Sequence, residues 1–82
     1  MQLTKERRDV SVLNSFLLKE KIKESGMTIK AIAEKTGILR ETLYNKISGK
    51  SEFTASEIVK LSDVLRLSKE DRDYIFLNKK LN

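Results

Sequence analysis

The feature that most restricts the fold of this chain is its small number of helix-breaking residues, since its 82 residues include three glycines and no proline. Gly26, Gly37 and Gly49 each follow a stretch in which apolar residues recur at helical spacing. Glycine accepts the left-handed conformation in which helices commonly end, so each of the three is a suitable helix terminus. The sequence therefore predicts short helices joined by tight turns and an all-α fold.

Residues that begin helices stand between these glycines. We expect five helices, and they begin after Asn14 or Ser15, Thr28, Gly37, Thr54 and Ser68. The spacing Thr54-x-x-Glu57 is that of a capping box, in which each side chain binds the other residue's backbone N–H. Residues 14–82 are expected to form one domain. Residues 1–13 are expected to be an N-terminal arm or extension, in which Lys5, Arg7 and Arg8 either contact a partner or lie in solvent.

Composition excludes several classes of function. Seventeen Lys and Arg against twelve Asp and Glu give a formal net charge of +5, which suits a polyanionic partner without identifying one. The chain has no cysteine, no histidine and no glycine-rich phosphate loop, so we predict neither an enzyme nor a metal or other cofactor. Apolar runs are too short to span a membrane and no signal core opens the chain, which predicts a cytoplasmic protein.

The most informative segment is residues 29–48, where two short helices are separated by a very short turn. Two such helices cross closely only if their contact is small, as Ala33 allows, and if the turn tolerates positive φ, as Gly37 does. The buried side of this helix pair would be formed by three apolar residues, Ile32, Ile38 and Leu43. The N-terminal end of the second helix would then project outward, where it can enter a major groove about 12 Å wide.

This arrangement resembles the helix-turn-helix of the Cro and phage-repressor family, the lambda-repressor-like domains. The resemblance covers roughly residues 15–67 and depends on the spacing of Ala33, Gly37, Ile38 and Leu43, on the entry Gly26-Met27-Thr28, and on the exit Ile47-Ser48-Gly49-Lys50. It implies a five-helix fold and sequence-specific binding of double-stranded DNA by a transcriptional regulator of phage or prophage type. The recognition helix would comprise about residues 39–47.

The resemblance also implies roles for individual side chains. Base-reading residues would be Leu39, Arg40, Glu41, Tyr44 and Asn45. Phosphate contacts would come from Thr28, Lys46, Lys50 and Ser51. Arginine can bind a guanine edge with two hydrogen bonds, asparagine an adenine, and leucine a thymine methyl. Glutamate either accepts from a cytosine amine or orients the neighbouring arginine. Arg40 and Asn45 have a plainer interpretation as part of a solvated helix face, and Tyr44 has one as a partly buried edge of the core.

Two positions depart from the family's pattern. Ile29 stands where the family often has a glutamine that contacts phosphate and braces the recognition helix. Lys46 stands where the family commonly has an apolar residue, and Ile47 follows it. The rotation of the recognition helix about its own axis is therefore open by one residue.

The C-terminal segment is more apolar than a lone terminal helix requires, with Tyr74, Ile75, Phe76, Leu77 and Leu81. Part of it is expected to pack on the core and part to form a homodimer surface, while Phe53 is expected to plug the core under its loop. A symmetric dimer would bind an approximately palindromic operator, with half-sites about one helical turn apart.

Two other functions stay open at this point. The same fold can serve as a protein-binding module, for example as an antitoxin-like or anti-repressor partner. Glu41 supports this alternative, as does the absence of any arginine other than Arg40 in the recognition region. The chain could also be an architectural DNA binder without sequence preference.

Overall fold

The computed structural model describes residues 13–77, and all regular secondary structure in this part of the chain is helical. Its five α-helices are α1 (Ser15–Ser25), α2 (Ile29–Thr36), α3 (Arg40–Ile47), α4 (Ala55–Leu65) and α5 (Lys69–Arg72). A π-helical turn, Asp73–Leu77, directly continues α5. The predicted all-α, five-helix fold is confirmed.

Four of the five helices begin where the sequence predicts, and α3 begins at Arg40 rather than directly after Gly37. Four side chains accept a hydrogen bond from the backbone N–H three residues further on, those of Asn14, Thr28, Thr54 and Ser68. The predicted capping box is complete, since Glu57 Oε1 also accepts from the Thr54 N–H at 2.9 Å. At the first helix the cap is Asn14, which leaves the Ser15 hydroxyl to donate to the Ile47 carbonyl at 2.9 Å. Local hydrogen bonding thus sets each of these boundaries.

Left-handed residues end three of the helices. Gly26 ends α1 with φ 75° and Gly37 ends α2 with φ 78°. A Cβ added at Gly37 would meet nothing within 4 Å, so it is the backbone conformation rather than lack of space that favours glycine there. The third case is Arg66, which ends α4 with φ 55° although it is not glycine.

One hydrophobic core joins the helices. Its fully buried side chains are Leu18, Ile32, Leu43, Leu61 and Ile75. Phe53 packs edge-to-face on Phe76 with ring centroids 5.4 Å apart, which confirms that it plugs the core under its loop. Ile75 and Phe76 are both buried, so they are unavailable to the dimer surface that their segment was expected to share.

The two ends of the described chain meet. The Asn14 N–H donates to the Ile75 carbonyl at 2.9 Å, and Lys21 lies 3.2 Å from the Asp71 carboxylate. α1 and the C-terminal helix therefore run antiparallel. Leu13, the last residue of the expected N-terminal arm or extension, packs against the core. The basic residues of the arm, the side chain of Leu77 and all of Leu81 lie outside the described part.

Candidate nucleic-acid interface

The unit α2–turn–α3 has the interior that the sequence predicts. Ile32 and Leu43 are fully buried, and Ala33 is 7% exposed where the two helices approach. Only three residues, Gly37 to Leu39, separate α2 from α3. A small side chain at the contact and a left-handed glycine in the turn therefore serve the predicted purpose.

Thr36 braces this turn, a role that the sequence analysis missed. Its side chain is buried, and Oγ1 donates to the Ile32 carbonyl at 2.9 Å. The same oxygen accepts from the Ile38 N–H at 3.3 Å, on the far side of Gly37. The available signal was a threonine directly before a helix-ending glycine, where its hydroxyl can reach the carbonyl four residues back. Thr36 thereby fixes how the chain enters α3.

The outer face of α3 carries the predicted base-reading residues. Arg40, Glu41, Tyr44 and Asn45 are all exposed, and their positions differ by one, four and five residues, so they share one face of the helix. Leu39, just before the helix, is 76% exposed. The opposite face points inward through Leu43 and Ile47. The rotation that the sequence left open is therefore the one in which position 47 is buried and position 46 lies at the side.

The polar side chains on this face are not engaged with the rest of the described chain. Among residues 13–77, Arg40 has no carboxylate within 4 Å, and no ion pair joins it to Glu41. Leu39, the N-cap of α3, makes no capping hydrogen bond with its side chain. The first N–H groups of α3 and the Arg40 guanidinium therefore remain accessible to a partner with acceptor atoms.

Three of the predicted phosphate-binding residues are exposed as well. Thr28 stands at the N-terminus of α2, and Lys50 and Ser51 lie in the loop that follows α3. This exit loop, residues 48–54, contains Gly49 at φ 88° and is held to the helix because the Lys50 N–H donates to the Asn45 carbonyl at 2.8 Å.

A further exposed cation was missed from sequence. Lys30 on α2 lines an open groove together with Glu34, Leu39 and Arg40. Its position in the first turn of α2, two residues after the Thr28 cap, was the signal that could have identified it. The groove connects the side of α2 with the first turn of α3.

Lys46 is the one predicted site residue that is not exposed. Its ammonium lies against Glu57 Oε1, and the two side chains are 12% and 19% exposed. The hydrogen bond from Lys46 and a second from the Thr54 backbone hold the pKa of the Glu57 carboxyl below its ordinary value. The structure thus gives Lys46 an internal partner where the sequence predicted a phosphate contact.

Comparison with known protein families gives a match over most of the described chain. Residues 18–71, more than half of the chain, match the helix-turn-helix family model. No curated protein and no solved structure matches the sequence.

Between residues 13 and 77 no helix has the length and apolar character needed to cross a bilayer, and no group of three Asp or Glu is placed to hold a metal ion.

Proposed function

Because the chain belongs to the helix-turn-helix family of DNA-binding domains, we propose that it is a sequence-specific regulator that inserts α3 into the major groove of double-stranded DNA. One observation carries this proposal. Leu39, Arg40, Tyr44 and Asn45 project from one exposed face, while the opposite face of the same short helix is anchored in the core. A rigid helix with accessible polar groups on its outer face is what base readout requires.

The side chains on this face suit different bases. Arg40 would form two hydrogen bonds with a guanine and Asn45 two with an adenine, each contributing about 1–3 kcal/mol of discrimination. Leu39 would contact a thymine methyl, and Glu41 would accept from a cytosine amine. Tyr44, 57% exposed, would line the groove beside them.

Phosphate contacts would come from segments on either side of α3 in the chain. Thr28 and the α2 N-terminus precede it, with Lys30 in the first turn, and Lys50 and Ser51 follow it. Helix N-termini and lysines bind phosphate irrespective of sequence, so these groups would position the protein on the duplex. Binding would consequently weaken steeply with salt, since each neutralised phosphate releases counterions.

The finer form of the proposal is a small Cro-like repressor of phage or prophage type, acting in the cytoplasm as a homodimer on an approximately palindromic operator. Tyr74 supports the dimer, because it is 65% exposed while its neighbours Ile75 and Phe76 are buried. An exposed aromatic residue on an otherwise anchored helix is a suitable centre for a self-complementary contact.

The test is selection of bound sequences from a random duplex pool, followed by fluorescence-anisotropy titration of the selected duplex at two salt concentrations. We expect a selected motif with two-fold symmetry and an affinity that drops at the higher salt. Failure to enrich any motif, with no salt-sensitive binding to random duplex, would remove the proposed function.

A second candidate function has specific support. Leu39 and Tyr44 are large, exposed and close in sequence to Glu41, a combination that suits a protein surface as well as a groove. The alternative is a module that docks another protein through α3, as an antitoxin-like or anti-repressor partner does. DNA binding that is absent or insensitive to salt favours this alternative.

A further inference from the structure

One carboxylate oxygen joins the recognition helix to the next helix along the chain. Glu57 Oε1 accepts from the Lys46 ammonium, in the last turn of α3, and from the Thr54 backbone N–H, at the start of α4. The two donors belong to elements separated by the exit loop, residues 48–54. The Glu57 side chain is therefore bonded at both ends of the segment that contains Lys50 and Ser51.

The Lys46–Glu57 pair is shielded from solvent. Its side chains are 12% and 19% exposed, whereas those of the helical pair Lys21–Glu24 are 26% and 64% exposed. Ion pairs that stand in solvent contribute little, but removing one partner of a shielded pair leaves the other charge poorly solvated. For Lys46 to bind a phosphate, its ammonium would have to leave Glu57.

The C-terminal end of α3 is held by a second bond. The Ser15 hydroxyl of α1 donates to the Ile47 carbonyl at 2.9 Å, next to Lys46 in the chain. The Lys50 N–H then turns the loop back onto the Asn45 carbonyl. These contacts leave the exit loop little freedom to move relative to α3.

We propose that the Lys46–Glu57 pair is a positioning element that fixes the exit loop relative to the base-reading face and so sets base specificity without touching DNA. The inference rests on the proposed function, and it reassigns Lys46 from the phosphate contacts. The phosphate contacts of the exit loop, together with those of α2, set the register of the protein on the duplex, and base contacts at Arg40 and Asn45 are formed only in that register. Loss of one phosphate contact among several leaves this register in place, whereas an exit loop that can shift relative to α3 does not. A loose connection between the exit loop and α3 would reduce the discrimination between bases.

The experiment compares Lys46→Met, Glu57→Gln and the double variant with Lys50→Met as the matched lysine control. Each is titrated by anisotropy against the selected duplex and a scrambled duplex over a series of salt concentrations. Glutamine at position 57 still completes a capping box, so Glu57→Gln removes the charge of the pair while preserving the start of α4. Circular dichroism melts establish that each variant is folded at the assay temperature.

We expect Lys50→Met to weaken binding to both duplexes equally and to reduce the slope of log K against log salt by about one. Lys46→Met should keep the wild-type slope and lose about 5- to 10-fold of the preference for the selected duplex, which corresponds to about 1–1.4 kcal/mol. Glu57→Gln should behave likewise, and the double variant should lose no more than either single one, because the two residues act as a unit.

A reduced slope with unchanged preference in Lys46→Met would make Lys46 a phosphate contact and overturn this inference alone. Additive losses in the double variant would overturn it as well. If the wild-type protein binds neither duplex, the proposed function fails, and this inference fails with it.

Discussion

The buried hydroxyl of Thr36 accepts a hydrogen bond from the Ile38 N–H at 3.3 Å, across the turn that joins α2 to α3. Because the same hydroxyl donates to the Ile32 carbonyl, one side chain connects the end of α2 with the approach to the recognition helix. Gly37 allows the left-handed backbone of the turn, and the two hydrogen bonds of Thr36 hold the turn in one conformation. The direction in which α3 leaves the turn thus depends on a residue that never faces solvent.

Replacing Thr36 with valine should destabilise the fold by about 1–3 kcal/mol. Valine keeps the shape of the side chain but leaves the Ile38 N–H without its partner in a buried position. Urea denaturation followed by circular dichroism measures the change. Thr36→Ser retains the hydroxyl and should lose less. A valine variant as stable as the wild type would show that the hydrogen bond contributes nothing.

Replacing Arg66 with glycine should stabilise the protein by up to about 1 kcal/mol. Arg66 ends α4 at φ 55°, a conformation in which a side chain costs about 1–2 kcal/mol. Glycine removes this cost but makes the unfolded chain more flexible, and the added entropy of the unfolded state offsets part of the gain in stability. Gly26→Ala is the converse control. A Cβ there meets nothing within 4 Å, so its destabilisation reports the φ of 75°, less the entropy that alanine removes from the unfolded chain. Equal melting temperatures for Arg66→Gly and wild type would contradict the expected strain.

Acid should weaken the fold partly through Glu57. The Lys46 hydrogen bond, followed by that from the Thr54 backbone, lowers the pKa of this carboxyl in the folded state. Its contribution is therefore fully present above the unfolded value near 4.5 and is lost as the pH falls through the folded pKa.

Unfolding free energies measured between neutral and acidic pH check this expectation. Glu57→Gln should flatten the acid limb of the profile. Asp71→Asn is the matched control, because the hydrogen bond from Lys21 lowers the pKa of Asp71 in the same direction at a more exposed site. An acid limb that keeps its full slope in Glu57→Gln would mean that the ion pair does not stabilise the fold.

The parts of this structure that could be predicted from sequence are those decided by neighbouring residues. The Thr54–Glu57 capping box and the glycine that ends α2 involve residues within one helical turn, so residue type and spacing suffice. The role of Thr36 also depends only on neighbouring residues and could have been predicted. It was missed because apolar periodicity treats a threonine as neutral and therefore overlooks its hydroxyl.

The remaining features depend on contacts that spacing does not determine. Lys46 contacts Glu57, eleven residues away, only because the exit loop returns the chain to α3, so the family resemblance assigned this lysine to phosphate binding instead. At the C-terminus the helical phase changes where α5 passes into a π-helical turn. For this reason the sequence could not tell that Ile75 and Phe76 face inward while Tyr74 stays exposed.

Replacing Tyr74 with glutamate should shift the proposed dimer toward the monomer. The side chain is 65% exposed, so the change should leave the fold stable while placing two like charges across a symmetric contact. Sedimentation velocity over a range of protein concentrations gives the association constant. Val59→Glu, at another exposed apolar position, is the control. Identical behaviour of both variants and wild type would exclude Tyr74 from any dimer contact.

Replacing Arg40 with alanine separates base readout from architectural binding. If the guanidinium binds a guanine edge, its loss should reduce affinity for the selected duplex by about 1–3 kcal/mol and relax the preference at one base pair of each half-site. The fold should be unaffected, because Arg40 is exposed and has no carboxylate within 4 Å among residues 13–77. Repeating the pool selection with the variant measures the preference directly. Uniform weakening over all sequences would instead identify a backbone contact, and the protein would then be an architectural binder at this position.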